Sequence, residues 1–267
     1  MNTQHPQILT AAIEFARAVA PLFVERFGNA GSVERKEGNA RNLVSETDQE
    51  IERRLRAMIS ERFADHAIVG EEGISDWTEA QKKEFVWILD PIDGTTNYIQ
   101  GIPYCCISIG VFRQGAPHVG VIYNPISDTL YASETGAGAT KNGIPIHTSD
   151  TRELPAAFGS VGWDRDLAAG QELISSLISQ ARKLRVFGSH ALSMCAVADG
   201  SCDFFFNAGT GAHLWDVAAA QCIVSEAGGL TTDRSGASLT AFENINRIVC
   251  ASTTDLHGQL LNIAQSF

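Results

Sequence analysis

The chain reads as a mixed α/β protein with helices packed on sheets, and three observations predict it. Its middle third shows the short apolar and period-two runs of an antiparallel meander. Its second half alternates strand-like with helix-like segments, and two amphipathic helices precede both regions. Taken in order, Ile8 to Phe27 carries apolar residues at helical spacing, with Pro21 as an expected kink or break. Asp48 to Phe63 is a second helix, with Ile51, Leu55, Met58, Ile59 and Phe63 on one face and a charged remainder read as solvated. Between them, Gly38-Asn39-Ala40-Arg41-Asn42 reads as a flexible turn between short strand-like pieces. Ala67 to Gly70 and Phe85 to Leu89 are short apolar runs, read as strands. The second is expected to stop at Asp90-Pro91, because proline cannot extend a ladder and biases its predecessor toward extended backbone.

The meander comprises Cys105 to Phe112, His118 to Tyr123 and Thr129 to Glu134, separated by the turns Arg113–Pro117 and Asn124–Asp128. Gly136-Ala137-Gly138 lacks the strand-then-helix setting of a nucleotide loop. Strands follow at Ala156 to Val161, Leu184 to Phe187, Phe204 to Phe206 and Arg247 to Ala251. Helices alternate with them at Leu167 to Arg182, Ala191 to Ala198, Asp216 to Glu226 and from Thr254 onward. A boundary near Asp150 divides an N-terminal part, 1–150, from a C-terminal part, 151–267; no Pro/Ser-rich linker marks it, so one compact unit is expected.

With 267 residues and 44% hydrophobic content, the chain can bury a sizeable core. A net charge of −11 argues against a general nucleic-acid surface and for solubility. The six cysteines show no CxxC pair and mostly sit in apolar runs, which suits buried free thiols in a reducing cytoplasm. No targeting segment and no run of membrane-spanning length is read, so the expected location is cytoplasmic.

The chemistry concentrates in acids at strand and helix ends. Asp90 and Asp93 leave a strand end and are followed by Gly94, which permits close backbone approach, and by the hydroxyls of Thr95 and Thr96. Carboxylates and a main-chain carbonyl in one tight turn are hard oxygen ligands, suited to magnesium. Glu71-Glu72-Gly73 ends another strand, and Asp216 falls at a helix N-terminus, where negative charge is favoured. With a phosphate dianion, Glu71, Asp90, Asp93 and Asp216 carry about −6, which roughly three divalent cations neutralise. Singly, these residues are also ordinary turn vocabulary, a solvated loop and a helix cap.

Together they resemble the inositol monophosphatases, of the lithium-sensitive, magnesium-dependent phosphatase superfamily. The matching blocks are Gly70-Glu71-Glu72, Asp90-Pro91-Ile92-Asp93-Gly94-Thr95-Thr96-Asn97 and Trp215-Asp216-Val217-Ala218-Ala219, then Glu226-Ala227-Gly228-Gly229. Thr47-Asp48 fits the upstream threonine–aspartate element, and Lys36 matches a family lysine near the active site. The resemblance implies a layered α-β-α-β-α sandwich of the inositol monophosphatase/fructose-1,6-bisphosphatase type, assembled as a homodimer. It implies two to three Mg²⁺ ions. Glu71, Asp90 and the Ile92 carbonyl would hold the first, and Asp90, Asp93 and Asp216 the second. Glu71 would also help hold a weaker third. Asp48 and Thr95 match the pair that orients and deprotonates the attacking water, and Gly94, Thr95 and Thr96 face the phosphate.

Two positions depart from the family. Asn207 stands where a glutamate is expected to bond an inositol hydroxyl, in a loop Asn207–His213 read as two residues longer than usual. His190 replaces a small alanine. Both are candidate substrate contacts; alternatively His190 caps the following helix and Asn207 belongs to a surface turn. The expected activity is Mg²⁺-dependent hydrolysis of a small phosphorylated alcohol, with inositol monophosphate leading. Other sugar phosphates, histidinol phosphate and the 2′-phosphate of NADP are related possibilities. A regulatory RNA- or transcription-associated binding protein on the same scaffold is the alternative from another class. Neither membrane nor nucleic-acid partners are expected.

Overall fold

A computed structural model describes residues 5–29, 33–35, 43–73, 76–163, 170–240 and 245–266. Lys36 and the turn 38–42 lie outside the described residues, as does the expected start of the helix at Leu167. The first half forms a seven-stranded sheet in the order β3 (Ala67–Gly70), β4 (Phe85–Asp93), β5 (Cys106–Arg113), β6 (Ala116–Asn124), β7 (Thr129–Glu134), β8 (Ala139–Lys141) and β9 (Ile144–Ile146). Only the β3–β4 pair is parallel; the rest is the expected meander, prolonged by β8 and β9. A separate antiparallel pair joins β1 (Val33–Arg35) to β2 (Leu43–Ser45). The second sheet has five strands, in the order β11 (Lys183–Arg185), β10 (Phe158–Gly162), β12 (Phe204–Ala212), β14 (Ile245–Ala251) and β13 (Leu230–Asp233).

Alternating side chains dictate the layers. One face of the large sheet, with Trp87, Leu89, Ile107, Ile109 and Val121, buries against α1 (His5–Glu25) and α2 (Glu46–Arg62) through Phe15, Phe23, Ile51, Leu55 and Ile59. The opposite face, with Val86, Ile88, Phe112 and Ile122, meets α6 (His190–Ala198) and α7 (Leu214–Glu226). Beyond those helices, Phe205, Ile248 and Cys250 of the small sheet close the same core. Phe204, Phe206 and Val249 point outward, against α5 (Gln171–Gln180) and α8 (Thr254–Ser266). The order helix, sheet, helix, sheet, helix is the sandwich that the sequence resemblance implied. All six cysteines are buried and free.

Helix α7 lies almost on the backbone of the large sheet, because small residues meet on both sides. A Cβ added at Gly110 would stand 2.8 Å from the Ala218 Cβ, and one at Gly120 would stand 2.3 Å from the Ala219 carbonyl. That approach brings the start of α7 over the end of β4.

Four local expectations are corrected. Helix α1 runs unbroken through Pro21, which forfeits one backbone bond while Val19, Leu22 and Phe23 stay packed on the sheet. Strand β4 does not stop at Asp90-Pro91 but continues to Asp93. Asp90 pairs with Ser108 and Asp93 with Cys106, so one extra residue bulges out and accommodates the proline. The segment after Phe206 is strand, not loop. Asn207 pairs with Ile248 and Ala212 with Ile245, with register shifts on either side of Thr210, so over this span β12 carries two residues more than β14, absorbed as bulges. The polar side of α2 is not wholly solvated, since Asp48 and Glu52 are buried. The described helices include none long and apolar enough to cross a membrane.

Candidate active site

The end of β4 is the centre of the site. Asp90 and Asp93 are both buried on either side of the bulge, and the Ile92 N–H donates to Asp90 Oδ1 at 3.0 Å. The parallel neighbour β3 brings Glu71 alongside: Gly70 pairs with Leu89, and the Glu71 N–H donates to the Leu89 carbonyl at 3.2 Å. From α2, Asp48 reaches the same strand end. Thr95, the first residue of α4 (Thr95–Ile99), donates its hydroxyl to the Ile92 carbonyl at 3.1 Å and has Asp48 Oδ1 at 3.5 Å. Asp216 is the third residue of α7, as expected of an acid at a helix start. Its Oδ2 accepts the N–H of the cap residue His213 at 2.6 Å, while the His213 ring stacks on Trp215 at 4.2 Å.

The electrostatics of Asp90 show that these acids converge. Its pKa is driven well above the ordinary carboxylate range, first by burial and then by the charges of Glu71, Asp93, Asp216 and Asp48. Four carboxylates from four separate segments therefore act on one. The described residues contain no trio of His, Cys, Asp or Glu side chains already closed around a common point. The acids are neighbours held on their own elements rather than a finished cage. They still fit small hard cations, because crowded carboxylates beside a main-chain carbonyl are relieved by oxygen-seeking divalent ions.

Asp93 is held differently. Its pKa is also raised by burial, but His190, the Ser189 hydroxyl and the main-chain N–H groups of Ala191 and His190 oppose that rise. Ser189 Oγ bonds Oδ2, the Ala191 N–H donates to Oδ2 at 3.0 Å, and the His190 N–H donates to Oδ1 at 3.2 Å. The first turn of α6 thus grips Asp93. Sequence reasoning missed this grip, although Gly188-Ser189 ahead of an apolar run is a legible N-cap signal.

Gly94 follows with φ +86°, a left-handed conformation, and a Cβ there would come within 3.0 Å of the Tyr104 carbonyl. Thr95 is half-buried and Thr96 exposed. Asn97, also missed, ties this turn to the approach to α6: its Nδ2 donates to the carbonyls of Tyr104 at 2.8 Å and Phe187 at 2.7 Å.

For His190 and Asn207, the two positions read as departing from the family, the structure corrects both alternative readings. Ser189, not His190, caps α6, its hydroxyl accepting the Leu192 N–H at 3.2 Å. His190 is the first helical residue, with its ring edge-on to Phe205 at 5.5 Å. Asn207 is wholly buried within β12, its Oδ1 accepting the Gly209 N–H at 3.2 Å, so it is no surface turn. Asn207 pairs with Gly162, and a Cβ at Gly162 would stand 3.2 Å from the Phe205 ring and 3.5 Å from His190 Nε2. A glycine on β10 therefore leaves space for the Phe205 ring, with the imidazole at ordinary contact distance.

The sequence model of the inositol monophosphatase family matches residues 4–266. Inositol monophosphatase 3 of Solanum lycopersicum is 38% identical over 261 residues, 96% of this chain and 95% of the relative. The Nus factor SuhB of Vibrio cholerae is 29% identical over 266 residues, 98% of this chain and 97% of the relative. Among solved structures, an inositol monophosphatase of Thermotoga maritima superposes with a TM-score of 0.85 at 31% identity, covering 96% of this chain and 95% of its own.

Proposed function

From the premise that this chain belongs to the inositol monophosphatase family, a family of phosphatases, we propose that it is a divalent-metal-dependent phosphomonoesterase acting on a small phosphorylated alcohol. The observation that supports this reading is the placement of Glu71, Asp93 and Asp48 at the end of β4 beside buried Asp90, whose pKa is raised by burial and by their charges and that of Asp216. A binding module has no chemical need for five acids that repel one another.

In this reading Glu71, Asp90 and the Ile92 carbonyl hold one Mg²⁺, and Asp90, Asp93 and Asp216 hold a second. Glu71 contributes to a third, weaker ion. When bound, the ions lower the pKa of water and neutralise charge on the phosphoryl and leaving oxygens. Thr95 Oγ1 orients the attacking water, and Asp48, whose Oδ1 lies 3.5 Å from that hydroxyl, takes its proton. The N–H groups of Gly94 and Thr95, with Thr96 beside them, receive the phosphate. Asp93 and Asp216 stand on the leaving-group side, and His190 is the candidate contact to the alcohol.

Inositol monophosphate is the leading substrate, as the name of the Solanum relative suggests, with other sugar or polyol phosphates next. Asn207 is wholly buried in β12, so the hydroxyl contact expected of a glutamate at that position does not come from it, which favours a less selective alcohol site. The Nus-factor relative supports a second reading, in which the same scaffold also serves a transcription partner. The protein is further proposed to be a cytoplasmic homodimer; light scattering on eluted protein tests the assembly.

The decisive experiment is phosphate release from a panel of phosphate esters with Mg²⁺, comparing the wild type with Asp93→Asn. The wild type is expected to turn over at least one small polyol phosphate, and the variant to lose about three orders of magnitude, equivalent to several kcal/mol of charge stabilisation. Equal rates, or none in either folded protein, would defeat the catalytic reading.

A further inference from the structure

Glu52 lies one helical turn beyond Asp48 on α2 and is only 1% exposed. Its carboxylate faces the backbone of the turn that carries Glu71. Oε2 accepts the Glu72 N–H at 2.8 Å, and Oε1 accepts the Gly73 N–H at 2.8 Å. Two successive amides converging on one anion form a nest, here filled from within the protein. Arg56, a further turn along α2, donates Nε to Glu52 Oε1 at 2.7 Å and Nη1 to the Ile68 carbonyl at 3.3 Å.

The turn wraps this pair without spare room. A Cβ on Gly70 would stand 2.6 Å from the Glu52 carboxyl carbon, and one on Gly73 would stand 2.6 Å from Arg56 Nη2. Glu71 is thus fixed from both sides. Its own N–H is bound to β4 through the Leu89 carbonyl at 3.2 Å, and the next two N–H groups are bound to α2 through Glu52.

We propose that Glu52 is a positioning residue, which aims the Glu71 carboxylate at the acid cluster and so sets how tightly the site holds its divalent ion. A carboxylate is required because three donors meet it. A glutamine offers one acceptor oxygen and turns an NH₂ toward the remaining donors. The inference rests on the reading of Glu71 as a metal ligand. One short helix then supplies both the proposed proton acceptor, Asp48, and the support of the proposed ligand.

The test is calorimetric titration with Mn²⁺ of the wild type, Glu71→Gln, Glu52→Gln and the double variant, with Glu52→Asp as a second probe should Glu52→Gln fail to fold. Glu52→Gln is expected to weaken Mn²⁺ binding on the order of 10- to 100-fold, as loss of an outer support does. Glu52→Asp, which keeps the charge but shortens its reach, is expected to weaken it less. In the Glu71→Gln background the Glu52 substitution should cost nothing further, because one acts through the other. Phosphate release by Glu52→Gln should approach wild-type kcat at saturating metal. Unchanged Mn²⁺ affinity in Glu52→Gln or Glu52→Asp, or fully additive losses in the double variant, would overturn the positioning role while leaving the function standing. Wild-type affinity in Glu71→Gln would instead remove the ligand assignment beneath it.

Discussion

Asp90 and Asp93 are three residues apart on one strand and both buried, yet their surroundings are opposite. Asp90 accepts the Ile92 N–H and otherwise faces carboxylates. Asp93 is gripped by a hydroxyl and two main-chain amides at the start of α6. The bulge lies between them: Asp90 meets acids from β3, α2 and α7, whereas Asp93 meets the donors at the start of α6. The contrast teaches that one of the two acids is satisfied by the protein's own donors, while the other is met mainly by further acids.

The largest expected effect separates these two acids. Asp90→Asn should lower phosphate release by about three orders of magnitude. It should also raise the melting temperature of the metal-free protein near neutral pH, because it removes a buried carboxyl whose ionisation is opposed by burial and by its acidic neighbours. Asp93→Asn should lose activity similarly but gain no stability, since its amide would face three donors with one acceptor. Equal stability changes in the two variants would break the contrast.

Thr95→Ala is expected to slow turnover on the order of 10²-fold while leaving Mn²⁺ affinity unchanged, because in the proposed mechanism its hydroxyl, 3.5 Å from Asp48 Oδ1, serves the water and not the ions. Weakened Mn²⁺ binding by calorimetry would move Thr95 from the proton path to the ion site.

The pH dependence of the metal-free protein sharpens the comparison further. The folded pKa of Asp90 is raised, so above an unfolded value of about 3.9 the unfolded chain releases a proton that the folded chain keeps. Stability should therefore fall as pH rises from there toward the folded pKa, by up to about 1.4 kcal/mol per pH unit for one proton. Thermal melts in chelator should show this slope, Asp90→Asn should flatten it, and added Mg²⁺ should reverse it. A flat wild-type profile would contradict the crowding.

The smallest expected change is at the satisfied acid. Ser189→Ala removes both an N-cap and a partner of Asp93, and should cost about 1 kcal/mol of stability. Chemical denaturation measures it, and no loss would mean that the amides of His190 and Ala191 suffice.

Much of this was legible in the chain. The meander followed from its period-two runs, and the grouping of Glu71, Asp90, Asp93 and Asp216 followed from acids placed at element ends taken together with the resemblance to the family. Other features were not. Pro91 reads as a stop, but a bulge carries the strand past it. Asn207 reads as a loop residue, but two bulges bury it in β12. Glu52 reads as part of a solvated helix face, but it is enclosed by the turn it holds.

Sequence alone determined the main helices, the core of the meander and the acids that wait at element ends, because hydrophobic period and end-capping chemistry are local. Only the tertiary structure decided which donors each acid meets. Pairing register, bulges and the approach of α7 to the sheet arise between segments far apart in the chain, and no local pattern records them.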